Sequence, residues 1–242
     1  MRAGRPAMAA RLPFIPRATG AFFRVFAACL TRVEVEGLEN VPDSGPLLVV
    51  ANHASNVDGM LLMGYVVPRL GRPMRWLGKE EALRWPFFGW VMRSNGVFAV
   101  KRGGSDVEAF HLARRVLDEG GALAIFPEGT RSRDGALQAA HEGAAVLAIR
   151  GGAPILPIGI ADSHRFWPRG GFVRPGRRMK VTVGPVFRLE APSAADRHEA
   201  TRRSTVELMR HIGELLPADQ RGVYAAAVAA ASPGATDRPA EP

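Results

Sequence analysis

Short apolar runs recur along this chain at intervals that leave room for a helix between several of them, and this alternation limits the possible folds more than any other feature. Arg32–Gly37, Leu47–Ala51, Met74–Gly78, Gly96–Val100, Ala122–Phe126, Pro154–Ile160 and Met179–Val183 have the length and composition of strands. Leu47-Leu-Val-Val-Ala51 and Ala122-Leu-Ala-Ile-Phe126 show no polar alternation, as expected of strands covered on both faces. One intervening helix, capped by Ser105 or Asp106, carries Val107, Phe110, Leu112, Val116 and Leu117 and stops at Gly120-Gly121. Another runs from about Glu142 to Arg150. The last starts near Ser193, presents Leu208, Met209, Ile212, Leu215 and Leu216 as one stripe and ends at Pro217. The pattern predicts an α/β fold: a single domain, residues 32–217, with a mostly parallel or mixed sheet flanked by helices.

The two ends have different compositions. Residues 218–242 are rich in Ala and Pro and offer little to bury, so they read as a largely disordered tail. Before Glu34 there is no acidic side chain, but Arg2, Arg5, Arg11, Arg17, Arg24 and Arg32 are all present. The apolar run 18–31 is too short to span ~30 Å of hydrocarbon. Arg24 interrupts it and no cleavage site follows, which argues against a signal peptide. As an N-terminal amphipathic helix it places Phe22, Phe23, Phe26, Leu30 and Val33 on one side with arginines beside them, so residues 1–31 are expected to associate with a membrane. The competing reading is a helix packed on the domain's own core.

Charge alone does not choose a partner. The net charge of +9 is carried by arginine, with only Lys79, Lys101 and Lys180 as ammonium groups, and it suits nucleic acid, anionic lipid or an acidic protein alike. Cys29 is the single cysteine, which excludes an internal disulfide, a CxxC redox pair and a Cys-based zinc site, and fits a reducing compartment. With 47% hydrophobic and 23% charged residues, wholesale disorder is also excluded.

Polar motifs follow the apolar runs. Asn52-His53-Ala-Ser-Asn-Val-Asp58 lies where a buried strand gives way to a helix, at the strand end where open α/β sheets hold ligands. A carboxylate five residues after a histidine across such a turn can hold one ring nitrogen while the other serves as a base; alone, Asp58 could equally be a helix cap. Phe126-Pro-Glu128-Gly129-Thr130-Arg131-Ser132 brings a glycine, two hydroxyls and a guanidinium suited to a phosphate. Gly96-Val-Phe-Ala-Val-Lys-Arg102 delivers a second guanidinium at a strand end. Pro154 and Pro157 interrupt a buried strand, which then needs an edge, a bulge or another reason. There is no GxSxG elbow, Cys29 is not beside a histidine, and His141-Glu142 lacks the second histidine of a metal-binding HExxH.

These four motifs, in this order over about Val35 to Pro185, resemble the glycerolipid acyltransferase family typified by bacterial 1-acyl-glycerol-3-phosphate acyltransferases. The resemblance implies a glycerol-3-phosphate acyltransferase-like fold with His53 as base and Asp58 orienting it. Arg102, Glu128, Gly129, Thr130 and Arg131 would form the phosphate pocket, with Pro154 and Pro157 on the acyl side or in structural support. It also implies acylation of the sn-2 hydroxyl of 1-acyl-sn-glycerol 3-phosphate to give phosphatidic acid. Acyl-CoA or acyl-acyl-carrier protein would be the co-substrate, with no bound cofactor and no metal. The expected partners are a lysophospholipid, the carrier protein or coenzyme A thioester, and an anionic membrane surface, with no nucleic acid. The expected location is the cytoplasmic face of the cell membrane, monotopic or peripheral. Two departures bear on the acceptor: Lys101 stands where the family often has an acid, and Ala140-His141-Glu142-Gly143 stands where it often has Phe-Lys-x-Gly. The rival readings are another lysolipid acceptor, or a non-catalytic membrane-binding protein.

Overall fold

The computed structural model describes residues 12–79, 83–84, 86–100, 106–190 and 197–231. The apolar runs form strands β1 (Arg32–Glu36), β2 (Leu47–Ala51), β3 (Met74–Lys79), β4 (Val97–Val100), β5 (Ala122–Ile125), β6 (Ile155–Ala161) and β7 (Arg178–Val183). They make one sheet in the order β1-β7-β6-β2-β5-β3-β4. Every pairing is parallel except β6 with β7. The mixed sheet thus turns over once, between β6 and β7.

The helices are α1 (Phe14–Leu30), α2 (Asp58–Leu61), α3 (Val67–Leu70), α4 (Pro86–Ser94), α5 (Asp106–Asp118), α6 (Gly143–Gly151), α7 (Ser163–Phe166), α8 (Arg197–Glu214) and α9 (Ala225–Ala231). A π-helical turn, Leu62–Val66, joins α2 to α3 as one rod. Alternate residues of β2 point to opposite faces of the sheet. Leu47 and Val49 pack with Leu61, Leu62, Val66 and Leu70 on one face. Leu48 and Val50 pack with Val116, Leu147, Leu208 and Ile212 on the other. At about 1.5–3 kcal/mol for each fully buried aliphatic side chain, this strand alone anchors both helical layers.

β6 shows how its prolines are accommodated. It is an interior strand, with Pro157 opposite Val50 of β2. On its other side the β6–β7 ladder reaches Ile158↔Val183, and the next pairing is the isolated bridge Ile155↔Phe187. The partner chain therefore carries one extra residue across this interval, a bulge beside the position where Pro157 has no N–H to offer. Gly184 donates to the Pro157 carbonyl at 2.9 Å, and the Pro154 carbonyl accepts the Leu48 N–H at 2.9 Å.

α1 divides the stripe expected of it. Gly20 lies so close to the rod that a Cβ there would stand 2.7 Å from the Met63 carbonyl oxygen, and Gly64 approaches α1 from the other side. Ala27 is buried, and Phe26 and Leu30 pack on the core. Phe14, Phe22 and Val25 face outward, Phe22 being 63% exposed. The helix is apolar around most of its circumference, so it has a core face and a free apolar face, and the two readings describe opposite sides of it.

The expected disordered tail is folded as far as Ala231. Residues 218–220 and 222–224 form 3-10 turns and α9 follows. Gln220, Tyr224 and Val228 are buried. Leu137 donates to the Gln220 carbonyl at 3.0 Å, Ala140 donates to the Tyr224 hydroxyl at 2.9 Å, and the Gln220 side-chain amide donates to Asp162 at 2.9 Å. Three anchoring residues fix a segment whose composition is otherwise nearly blank. The start near Ser193 expected for the last helix, and residues 232–242 of the expected tail, lie outside the described residues. A chain ending at Pro217 should lose at least about 3 kcal/mol of stability, since it gives up two buried side chains of roughly 1.5–3 kcal/mol each. The urea midpoint against the full chain measures this.

Candidate active site

Connections leave two neighbouring strands in opposite directions. From β2 the chain enters the rod on the face shared with α1, and from β5 it reaches α6 on the other face. At such a switch point the loops diverge and leave a crevice at the carboxyl ends of the strands. His53 and Asp58 lie on one wall, and Phe126 to Ser132 on the other.

The histidine is fixed on three sides. Its Nδ1 lies 2.8 Å from Asp58 Oδ2, which also accepts the N–H groups of Ala54 and Ser55 at 2.7 Å each. A carboxylate only accepts, so Nδ1 carries the proton and Nε2 keeps its lone pair. The ring stacks on Phe126 with centroids 4.2 Å apart. Asp58 is fully buried, and its Oδ1 has no partner. The His53 side chain is 22% exposed, enough to meet a substrate. Asp58 also stands in the first turn of α2, so the cap reading and the dyad reading hold together.

Glu128 is placed otherwise than the phosphate-lining position expected. It is buried, with Oε1 accepting the His53 N–H at 2.7 Å and Oε2 the Gln138 N–H at 3.0 Å. Both oxygens are thus committed to backbone. Burial pushes its carboxyl up to about 7, against the downward pull of those two bonds, and the nearby Asp58 and Asp134 add to the rise. Further bonds close the crevice floor. Ser132 donates to the His53 carbonyl at 2.8 Å. Asn52 and the Ile160 backbone exchange two hydrogen bonds, of 2.9 and 2.7 Å.

Gly129 and Thr130 are exposed at the rim. Gly129 adopts φ +63°, and a Cβ there would stand 2.8 Å from the His141 ring, so this turn requires glycine twice over. Arg131 donates to the Asn56 side-chain oxygen. Asn56 lies inside the first motif but was not singled out, because its use depends on a residue on the other wall. Arg169, also missed, donates to the Arg131 carbonyl at 3.0 Å. Pro154 and Pro157 are bound into the start of β6, as described. Lys101 and Arg102 lie outside the described residues.

A carboxyl held above its ordinary range binds protons more tightly folded than unfolded, so Glu128 favours the fold at low pH. That contribution fades between about pH 4.5 and 7, amounting to about 3 kcal/mol at most. Glu128→Gln should remove this slope from a plot of urea midpoint against pH. An unchanged slope would assign it to another group.

A family model described as acyltransferase matches residues 32–161. The 1-acyl-sn-glycerol-3-phosphate acyltransferase of Pseudomonas aeruginosa is 30% identical over 205 residues, 81% of this chain and 77% of that protein. The alpha form of the enzyme of the same name from Ovis aries is 31% identical over 194 residues, 75% of this chain and 64% of the other. The crystal structure of the 1-acyl-sn-glycerophosphate (LPA) acyltransferase PlsC from Thermotoga maritima matches with a TM-score of 0.65 and 25% identity, covering 83% of this chain and 79% of that one. The matched segment runs from β1 to β6 and contains both walls of the crevice, and the chain belongs to the acyltransferase family.

Proposed function

We propose that the protein moves a fatty acyl group from an acyl thioester to the sn-2 hydroxyl of 1-acyl-sn-glycerol 3-phosphate, giving phosphatidic acid. The observation that carries this reading is the His53–Asp58 bond, which leaves Nε2 as an unprotonated acceptor at the end of β2. Nε2 takes the proton of the acceptor hydroxyl as its oxygen attacks the thioester carbonyl. The tetrahedral oxyanion then collapses, the C–S bond breaks, and the sulfur leaves with the proton from His53. Asp58 keeps the ring in the required tautomer and stabilises the imidazolium between the two steps. Arg131 and Arg102 are proposed to hold the acceptor's phosphate, with Gly129 and Thr130 at the rim.

Coenzyme A and acyl-carrier protein are both anionic, and either suits a chain of net charge +9 as donor. His141 and Glu142, standing where the family often has a lysine, keep a second lysolipid acceptor in consideration. The deciding experiment incubates purified protein with a labelled acyl thioester and either lysophosphatidate or lysophosphatidylglycerol. Preference for the first supports the proposal, preference for the second moves the acceptor, and transfer to neither overturns it.

Among the described residues no helix is long and apolar enough to cross a membrane. The outward face of α1, with Phe14, Phe22 and Val25 beside Arg17 and Arg24, supports attachment to one leaflet, on the cytoplasmic face.

His53→Ala should lower kcat about 10²–10⁴-fold with the fold intact, since a positioned base contributes that much. Arg131→Ala should raise the acceptor KM far more than the donor KM, one charge-assisted bond being worth about 1.5–3 kcal/mol. Paired titrations of the two substrates separate these effects. Phe22→Ser with Val25→Ser should weaken binding to anionic vesicles and leave the urea midpoint in place, whereas Phe26→Ser should lower the midpoint.

A further inference from the structure

The two longest stretches without an acidic side chain, residues 1–33 and 163–189, meet in space. Gly176 donates to the Leu30 carbonyl at 2.8 Å, Arg32 donates to the Arg177 carbonyl at 3.1 Å, and the Thr31 hydroxyl donates to the same oxygen. The loop 167–177 is therefore fastened to the end of α1. Its other end is fastened to the crevice: the Ser55 hydroxyl donates to the Trp167 carbonyl at 2.7 Å, and Arg169 donates to the Arg131 carbonyl at 3.0 Å. Trp167 and Val173 pack into the same apolar cluster as Phe26 and Leu30, so loop and helix lie on one face of the sheet.

Between these ties the loop turns through Gly170 and Gly171 and presents Phe172, 91% exposed. No other large apolar side chain among the described residues stands so far into solvent. Arg174 and Arg177, close to it in sequence, are also exposed. An aromatic ring projected from a cationic, acid-free loop matches the layered chemistry of a bilayer surface, with phosphates outside and hydrocarbon beneath. An acidic protein or a nucleic acid would use the guanidinium groups but leave the ring unexplained.

We infer that loop 167–177 is a second membrane contact, in which Phe172 enters an anionic leaflet while Arg174 and Arg177 meet its phosphates. It would give the lysolipid a short route between leaflet and crevice. This inference rests on the reading of the acceptor as a membrane-resident lysolipid.

The test uses the full chain with Cys29→Ser, and Phe172→Cys carrying an environment-sensitive nitrobenzoxadiazole label. Val206→Cys on α8, on the opposite face of the sheet, serves as the control. With vesicles of phosphatidylglycerol and phosphatidylcholine, the label at 172 should shift to the blue and brighten, and that at 206 should not. Phe172→Asp should reduce transfer to lysophosphatidate embedded in vesicles about tenfold or more, while transfer to a short-chain, water-soluble acceptor stays within twofold. No shift at 172, or a shift with acyl-carrier protein or DNA in place of vesicles, overturns the inference, as does full activity of Phe172→Asp on the embedded acceptor. If the unmodified protein acylates neither acceptor, the acceptor reading fails, and the label at 172 still decides whether the loop touches lipid.

Discussion

A carboxyl group with almost no access to water holds the two walls of this site together. Where neighbouring strands send their connections to opposite faces, the backbone at the strand ends loses its ladder partners, and each buried N–H left unmatched costs about 1–3 kcal/mol. Glu128 satisfies one such donor on each side, His53 N–H on the β2 loop and Gln138 N–H beyond β5. The position of the catalytic imidazole thus depends on a side chain from the other wall. Its own desolvation is the cost, visible in a carboxyl raised to about 7. Asn52 repeats the device towards β6 through the Ile160 backbone.

What the sequence disclosed and what it withheld divide along a physical line. The strands were legible because an apolar run of four to seven residues between polar turns has few other uses, and the His53–Asp58 pairing because it is local, five residues across one turn. Glu128 was assigned to the right motif and the wrong neighbour, since whether a carboxylate lines a pocket or braces backbone is decided by donors from elsewhere in the chain. The partnership of Asn56 with Arg131 was hidden for the same reason. The segment 218–231 was misjudged because its composition is dominated by alanine, while Gln220, Tyr224 and Val228 act only through the residues they reach. α1 was ambiguous because it is amphipathic in an unusual sense, with one apolar face for protein and another left over.

The close approach of α1 to the rod gives that leftover face a rigid mounting. With Gly20 against the Met63 carbonyl and Leu30 tied to Gly176, α1 cannot turn independently of the domain. Whatever its outer face rests on is held at a fixed height relative to His53. For an enzyme whose acceptor stands in a sheet of lipid, that distance decides whether the reacting hydroxyl and the base can meet.

The π-helical turn at Leu62–Val66 has a different kind of consequence. A wider ring of this sort accommodates one residue more than an α turn would over the same rise. Deleting any residue of that turn would let the rod relax into a regular helix but rotate everything after it by about 100°. Val67 and Leu70 would swing out of the core, and Arg69 would leave Asp43, with which it now pairs at 2.8 Å. The segment's length is therefore held more tightly than its side chains: substitutions there can be absorbed one at a time, whereas a change in residue count would be felt throughout the layer that carries α1.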